Sequence, residues 1–165
     1  MESKMEEFMI TVDQVESGDP TAQELLQEWK PWLDASKTDR YVYLIARIGT
    51  DPVGVLEGHH DYGNWDDLED YRHLGEESLG SYISSLYVRP AHRRRGAADA
   101  LLDWFIDDAR RHGSVAVVAF PEEEEEEDRV REREARVALN RKHGLEFGRP
   151  HDDFREPWLM ILPLK

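Results

Sequence analysis

The chain has 165 residues and no cysteine, which suits one domain with its own apolar core and excludes disulfide frameworks, thiolate metal sites and cysteine nucleophiles. A formal net charge of -15 gives the long-range field the wrong sign for a nucleic-acid coat or an anionic membrane surface; cationic partners fit better. The opening MESKMEEFMITV has no basic region followed by a long apolar run, and no window reaches bilayer length, so a cytoplasmic protein is the expectation.

Met9 to Val15 reads as a first strand. In the SGDP that follows, Asp19 suits an N-cap with Pro20 at the first helical position, and Ala22, Leu25, Leu26 and Trp29 recur at helical spacing until Pro31. YVYLIARI (Tyr41–Ile48) and VGVLEG (Val53–Gly58), separated by GTDP, predict a β-hairpin. The next stretch, HHDYGNWDDLEDYRHLGEESLG, has no clean period and reads as a long loop or short helix, of a length that in compact domains tends to accompany function. Ser81 to Val88 is a strand, whose alternation places Tyr82, Ser84, Leu86 and Val88 on one face and Ile83, Ser85 and Tyr87 on the other. Pro90 ends it. Beyond Gly96, the residues Ala98, Leu101, Leu102, Phe105, Ile106 and Ala109 form one helical stripe closed by Gly113, and VAVVAF (Val115–Phe120) reads as a strand buried on both faces. A helix is expected from within the acidic run Glu122–Asp128 to about His143, with Gly144 closing it. Leu145–Arg149 and Pro157–Leu164 are the last strands. The order β-α-β-β-β-α-β-α-β-β describes one α/β domain spanning 1–165, a mixed sheet with helices packed against it.

VRPAHRRRGAADALLDWF (Val88–Phe105) concentrates positive charge at one turn of an acidic chain. A glycine where a helix opens lets a ligand approach the backbone, whose first amide N–H groups have no partner within the helix and attract anions. Arginines just before it add bidentate donors, so the turn is a diphosphate cradle with a mechanism. The remaining surface charge is largely screened beyond about 8 Å at physiological salt. A phosphate-binding loop of the Gly-Lys-Ser/Thr type and a three-glycine dinucleotide fingerprint are both absent. The plain alternative is a solvated turn whose arginines serve solubility.

Arg93, Gly96 and Ala98 match Gln/Arg-x-x-Gly-x-Gly/Ala, and the segment resembles the acyl-coenzyme A binding motif of the GNAT superfamily of N-acetyltransferases. LYVRP (Leu86–Pro90) is similar to that family's strand ending, and ALNRKHGLEF (Ala138–Phe147) to its helix-to-strand passage. The resemblance implies a mostly antiparallel sheet splayed between its fourth and fifth strands, with acetyl-CoA as co-substrate and no metal. It implies that pantetheine runs along Ser81–Val88, with Leu86, Tyr87 and Val88 beside it, Leu86 N–H polarising the acyl carbonyl and Val88 N–H holding the arm. Arg93, Arg94, Arg95, Gly96, Ala97 and Ala98 would hold the diphosphate. The expected reaction is direct acetyl transfer to a primary amine in a ternary complex.

An amine with a pKa near 10.4 is neutral in only about one part in 2,500 at pH 7, roughly 4.6 kcal/mol against attack, so its proton must be accepted. The family often places a carboxylate early on the fourth strand and a tyrosine in the last helix. Here Tyr82 and Asn140 stand at those positions. Asparagine has no ionisable proton; it could hydrogen-bond the thiol or pantetheine, with proton release through water held by Tyr82 and Ser84.

Tyr62, Trp65, Asp66 and Asp67, with Glu69, Asp70 and Tyr71, mix aromatics and carboxylates in a composition suited to a cationic small amine, or equally to a solvated loop. His59, His60 and Asp61 invite a metal reading, but adjacent strand residues point to opposite faces and seldom converge on one ion. The expected partners are therefore acetyl-CoA and an amine acceptor, with the chain a monomer or homodimer. Two other functions compete: a non-catalytic acyl-CoA-binding module (or a protein N-terminal or lysine acetyltransferase) and a protein recruiting basic partners through Glu122–Asp128.

Overall fold

The computed structural model describes residues 9–33, 40–63, 79–121, 127–147 and 159–164. In chain order these form β1 (Ile10–Val15), α1 (Pro20–Trp29), β2 (Tyr41–Ile48), β3 (Asp51–Tyr62), β4 (Gly80–Val88), α2 (Ala97–Arg111), β5 (Ala116–Ala119), α3 (Glu127–Lys142), β6 (Glu146–Phe147) and β7 (Met160–Pro163). The seven strands belong to one sheet, ordered β1-β2-β3-β4-β5-β7-β6, mostly antiparallel with β4 and β5 parallel. No helix among the described residues is long and apolar enough to cross a membrane.

The chain divides into two compact units, Met1–His59 with Ile83–Asp108, and His60–Tyr82 with Ala109–Lys165. In the first, the Asp19 carboxylate accepts from Thr21 N at 3.0 Å and Ala22 N at 3.1 Å, the N-cap that the SGDP turn predicts. From that start, Ala22, Leu25 and Leu26 of α1 pack on Tyr43, Ile45, Val55 and Tyr87. The β2–β3 hairpin turns through Gly49 and Thr50, and Gly49, at φ 61°, supplies the positive φ that a type II′ turn requires at its first central position. On α2, Leu101, Leu102, Phe105 and Ile106 are all buried. Gly54 marks a close approach: a Cβ there would lie 3.1 Å from Tyr87 O and Val88 Cγ2 and 3.3 Å from Leu101 Cδ1.

The second unit has its own core of Val115, Ala116, Val118 and Leu159, with Tyr62, Tyr82 and Ile161 packed on it. Val115 N donates to Leu79 O at 3.0 Å, which ties the start of β5 to that of β4.

Two expectations are corrected. β3 runs on to Tyr62 rather than stopping at Gly58, so His59 to Tyr62 are strand residues rather than loop; pairing with β2 carries past the apolar run as far as Tyr41 opposite His59. Strict alternation along β4 also fails. Glu57 and Val55, two apart on β3, share a face; Ser84 bonds the Glu57 carboxylate, and Tyr87 packs in the cluster that holds Val55. Ser84 and Tyr87 thus share a face although three residues apart. One extra residue between them accounts for this, the kind of strand irregularity that re-aims side chains and backbone donors.

Candidate active site

The arginine turn takes its shape from the end of β4. Pro90 cannot continue the ladder, so the chain enters a short 3₁₀ turn, Pro90–His92, and Arg93 leaves it extended at φ -68° and ψ 156°. Arg93 Nε donates to Val88 O at 3.1 Å, which pins this guanidinium across the turn. Arg94 then adopts φ 64° and Gly96 φ 91°, two left-handed residues on either side of Arg95. Such changes of hand turn successive amide N–H groups into a concave anion-binding nest, here followed directly by the first turn of α2. A left-handed arginine costs on the order of 1 kcal/mol and persists only where its surroundings enforce it. The side chains of Arg93, Arg94 and Arg95 are exposed, and Gly96, Ala97 and Ala98 present backbone with almost no side chain in the way. This donor set fits a diphosphate.

Arg89, four residues earlier, has a different task. Its Nε lies 3.1 Å from both Glu28 carboxylate oxygens, its Nη1 donates to Pro52 O at 2.9 Å, and Glu24 stands 3.6 Å from Nη2. Tyr87 donates its hydroxyl to the same Glu28 at 3.0 Å and stacks on Trp29. Burial, followed by the Glu28 hydrogen bond and charge, pushes the Tyr87 phenol up to about 12. The neutral phenol therefore stabilises the fold below the ordinary tyrosine value near 10, and that contribution fades as pH climbs from 10 towards 12. In an ultraviolet titration Tyr87 should ionise late, and Tyr87→Phe should reduce the amplitude of the late step by one phenol; an unchanged late amplitude contradicts the assignment.

Other expected site residues fall into three groups. Leu86 and Val88 are buried on β4, ahead of the cradle. Tyr82 and Tyr62 do come together, stacked at 5.4 Å, with Phe120 edge-on to Tyr82 at 5.9 Å; Trp65, Asp66 and Asp67, like Glu69, Asp70 and Tyr71, lie outside the described residues. Asn140 is 6% exposed, its side-chain NH2 donating to Met160 Sδ at 3.5 Å and its backbone carbonyl accepting from Leu145 N at 3.0 Å. Residues 122–126 of the acidic run also lie outside the described residues.

The adjacent histidines engage different neighbours, as strand alternation requires. His59 meets the Tyr41 ring edge-on at 5.1 Å, whereas His60 Nδ1 lies 2.6 Å from Ser81 Oγ and its ring stacks on His112 at 4.1 Å.

Sequence reasoning missed Glu57. On β3 this carboxylate is 1% exposed, stands opposite Tyr43 of β2, and accepts from Ser84 Oγ at 2.7 Å, while Ser84 Oγ also reaches Glu57 O at 3.0 Å. The available signal was an ionisable residue closing the apolar run VGVL, inside a hairpin rather than at its tip. Buried carboxylates are costly, and sites of chemistry are where such groups concentrate.

Comparison with known proteins agrees with this fold. Residues 5–133 match the model of the acetyltransferase (GNAT) family. An L-methionine sulfoximine/L-methionine sulfone acetyltransferase from Salmonella typhimurium is 32% identical over 88 residues, 53% of this chain and 45% of that protein. The L-amino acid N-acyltransferase MnaT from Escherichia coli is 31% identical over 88 residues, with the same coverage of 53% and 45%. The chain thus spans under half the length of these curated relatives. Among solved structures, Arabidopsis thaliana NAA60 in complex with acetyl-CoA aligns with a TM-score of 0.70 at 14% identity, over 94% of this chain and 99% of that one. The ribosomal-protein-S18-alanine N-acetyltransferase from Escherichia coli aligns with a TM-score of 0.65 at 19% identity, over 95% of each chain. At such identities the two structures speak for the fold alone. Together with the strand order and the arginine-glycine turn, the family match leads to one conclusion: the chain belongs to the GNAT acetyltransferase family.

Proposed function

We propose that residues 1–165 act as one cytoplasmic domain that transfers an acetyl group from acetyl-CoA to the primary amine of a small molecule. The observation that carries this reading is the cradle, in which two left-handed residues, three arginines and an open helix start gather donors for a diphosphate at one corner. A family match running from residue 5 to 133 crosses both compact units and supports the single-domain reading.

In this reading Arg93, Arg94 and Arg95 and the backbone of Gly96, Ala97 and Ala98 hold the diphosphate. Tyr87 and Val88 border the pantetheine arm, and the Leu86 N–H donates to the acyl oxygen. Bound acetyl-CoA supplies an activated acyl carbon with a thiol as leaving group. A backbone donor already aimed at an oxygen that gains charge costs no reorganisation when the reaction occurs. Holding both reactants in place removes much of the entropic barrier, so the buried Asn140, which cannot protonate the departing thiolate, does not prevent transfer. The Tyr62, Tyr82 and Phe120 rings form an aromatic surface for the acceptor, with Trp65, Asp66 and Asp67 as further contacts for a cationic one. The curated relatives are named for amino-acid acceptors, so an amino-acid α-amine stands beside a polyamine or aminoglycoside in the acceptor class.

Thiol release from acetyl-CoA across amino acids, methionine sulfone, polyamines, aminoglycosides and a peptide N-terminus tests the proposal. Turnover with at least one small amine is expected. Tight acetyl-CoA binding without turnover for any of them favours the non-catalytic module, the second reading that Asn140 motivates.

A further inference from the structure

A carboxylate buried inside β3 is costly, and its surroundings bear on what it does. Glu57 is 1% exposed, while Ser84, its partner on β4, is half-buried and so has a route to solvent. Ser84 Oγ points its hydroxyl hydrogen inward, 2.7 Å from Glu57 Oε1 and 3.0 Å from Glu57 O. With its hydrogen committed inward, that oxygen keeps lone pairs for a donor on its outer side. Ser84 lies two residues before Leu86 on β4, and the strand irregularity described above falls between Ser84 and Tyr87. The hydroxyl and the backbone donors of the acyl site therefore occupy one short segment of one strand. Tyr82, where the family would offer a strand carboxylate, is engaged with Tyr62 and Phe120.

We propose that Glu57 is the proton acceptor for the incoming amine, reached through the Ser84 hydroxyl. This inference rests on the acetyl-transfer reading above. The ammonium N–H donates to Ser84 Oγ; the Ser84 proton passes to Glu57 Oε1 and the ammonium proton replaces it, leaving a neutral amine and a neutral Glu57. The amine lone pair then forms the N–C bond, the C–S bond breaks, and the sulfur takes that electron pair. The second proton on nitrogen goes to the thiolate, Glu57 returns its proton to solvent, and the net products are amide, free thiol and one proton. A carboxylate one hydroxyl away can stay buried and dry, while the group that touches substrate remains small and uncharged. That arrangement accommodates a positively charged amine arriving and an uncharged amide leaving.

The test uses Glu57→Gln, which keeps shape and size, with Ser84→Ala as a second variant, on the full chain and an amine the wild type acetylates. Both variants should retain wild-type acetyl-CoA affinity by calorimetry. At pH 7, Glu57→Gln should lose about 100-fold in kcat with little change in KM for the amine, the scale of general-base assistance. The loss should shrink as pH rises toward the pKa of the acceptor amine, since neutral amine is then drawn directly from solution. Ser84→Ala should show the same pH-dependent convergence with a smaller loss. A wild-type-to-variant ratio that stays constant from pH 7 to pH 10, or a Glu57→Gln enzyme as fast as wild type, overturns the role of Glu57 while leaving acetyl transfer standing. A wild type that binds acetyl-CoA and turns over no amine removes both. Should Glu57→Gln lose acetyl-CoA affinity together with its melting transition, Ser84→Ala decides: an unchanged pH profile in that variant overturns the relay.

Discussion

Replacing Arg93 and Arg95 together with glutamate is expected to weaken acetyl-CoA binding by about 100-fold or more while leaving the melting temperature nearly unchanged. The size follows from charge-assisted hydrogen bonds worth roughly 1.5–3 kcal/mol each, with every 1.4 kcal/mol a factor of ten in affinity. The small thermal effect follows from exposure. Both side chains lie in solvent, and within the fold the double substitution breaks the Arg93 Nε hydrogen bond to Val88 O at 3.1 Å. Calorimetry with acetyl-CoA, run beside a thermal melt, separates the outcomes: unchanged affinity defeats the cradle, and a large fall in stability shows the turn to be structural.

Gly54→Val should do the opposite, with a large loss of stability that carries affinity down with it. Its Cβ alone would sit 3.1 Å from Tyr87 O, a backbone atom fixed by β4, and 3.3 Å from Leu101 Cδ1, so the added methyls force β3, β4 and α2 apart. Overpacking of this kind costs about 1–3 kcal/mol, which for a chain of this length lowers the melting temperature by roughly 3–10 °C. Tyr87 and Val88 lead straight into the arginine turn, so acetyl-CoA binding should weaken as well. A Gly54→Val protein with native melting behaviour contradicts the close packing of strand on helix.

Much of this was legible because the signals were local. Asp19-Pro20 starts a helix for a reason contained in two residues, and Gly49 turns a hairpin for a reason contained in one. The element order followed from such punctuation, and the arginine-glycine turn gathers the donors proposed for the diphosphate within six residues. What stayed hidden depends on neighbours distant in sequence. Glu57 reads in the sequence as the polar end of an apolar run because Ser84, its hydrogen-bond partner, is 27 residues away. β3 outran its hydrophobic pattern because pairing with β2 continued past the last apolar residue. Faces along β4 were assigned by strict alternation, which one extra residue defeats without leaving a glycine or proline to mark it. Arg89 lies in the strand ending LYVRP, and Glu28 on α1 holds it; that ion pair could not be read from VRP alone.

Where the diphosphate of the acyl donor settles decides the assignment most directly. A crystal of the protein grown with acetyl-CoA should show it against the guanidinium groups of Arg93 and Arg95 and the main-chain nitrogens of Gly96 to Ala98. Finding the nucleotide bound elsewhere, with that turn unchanged and its arginines in solvent, would contradict the cradle and the acetyl-transfer reading built on it.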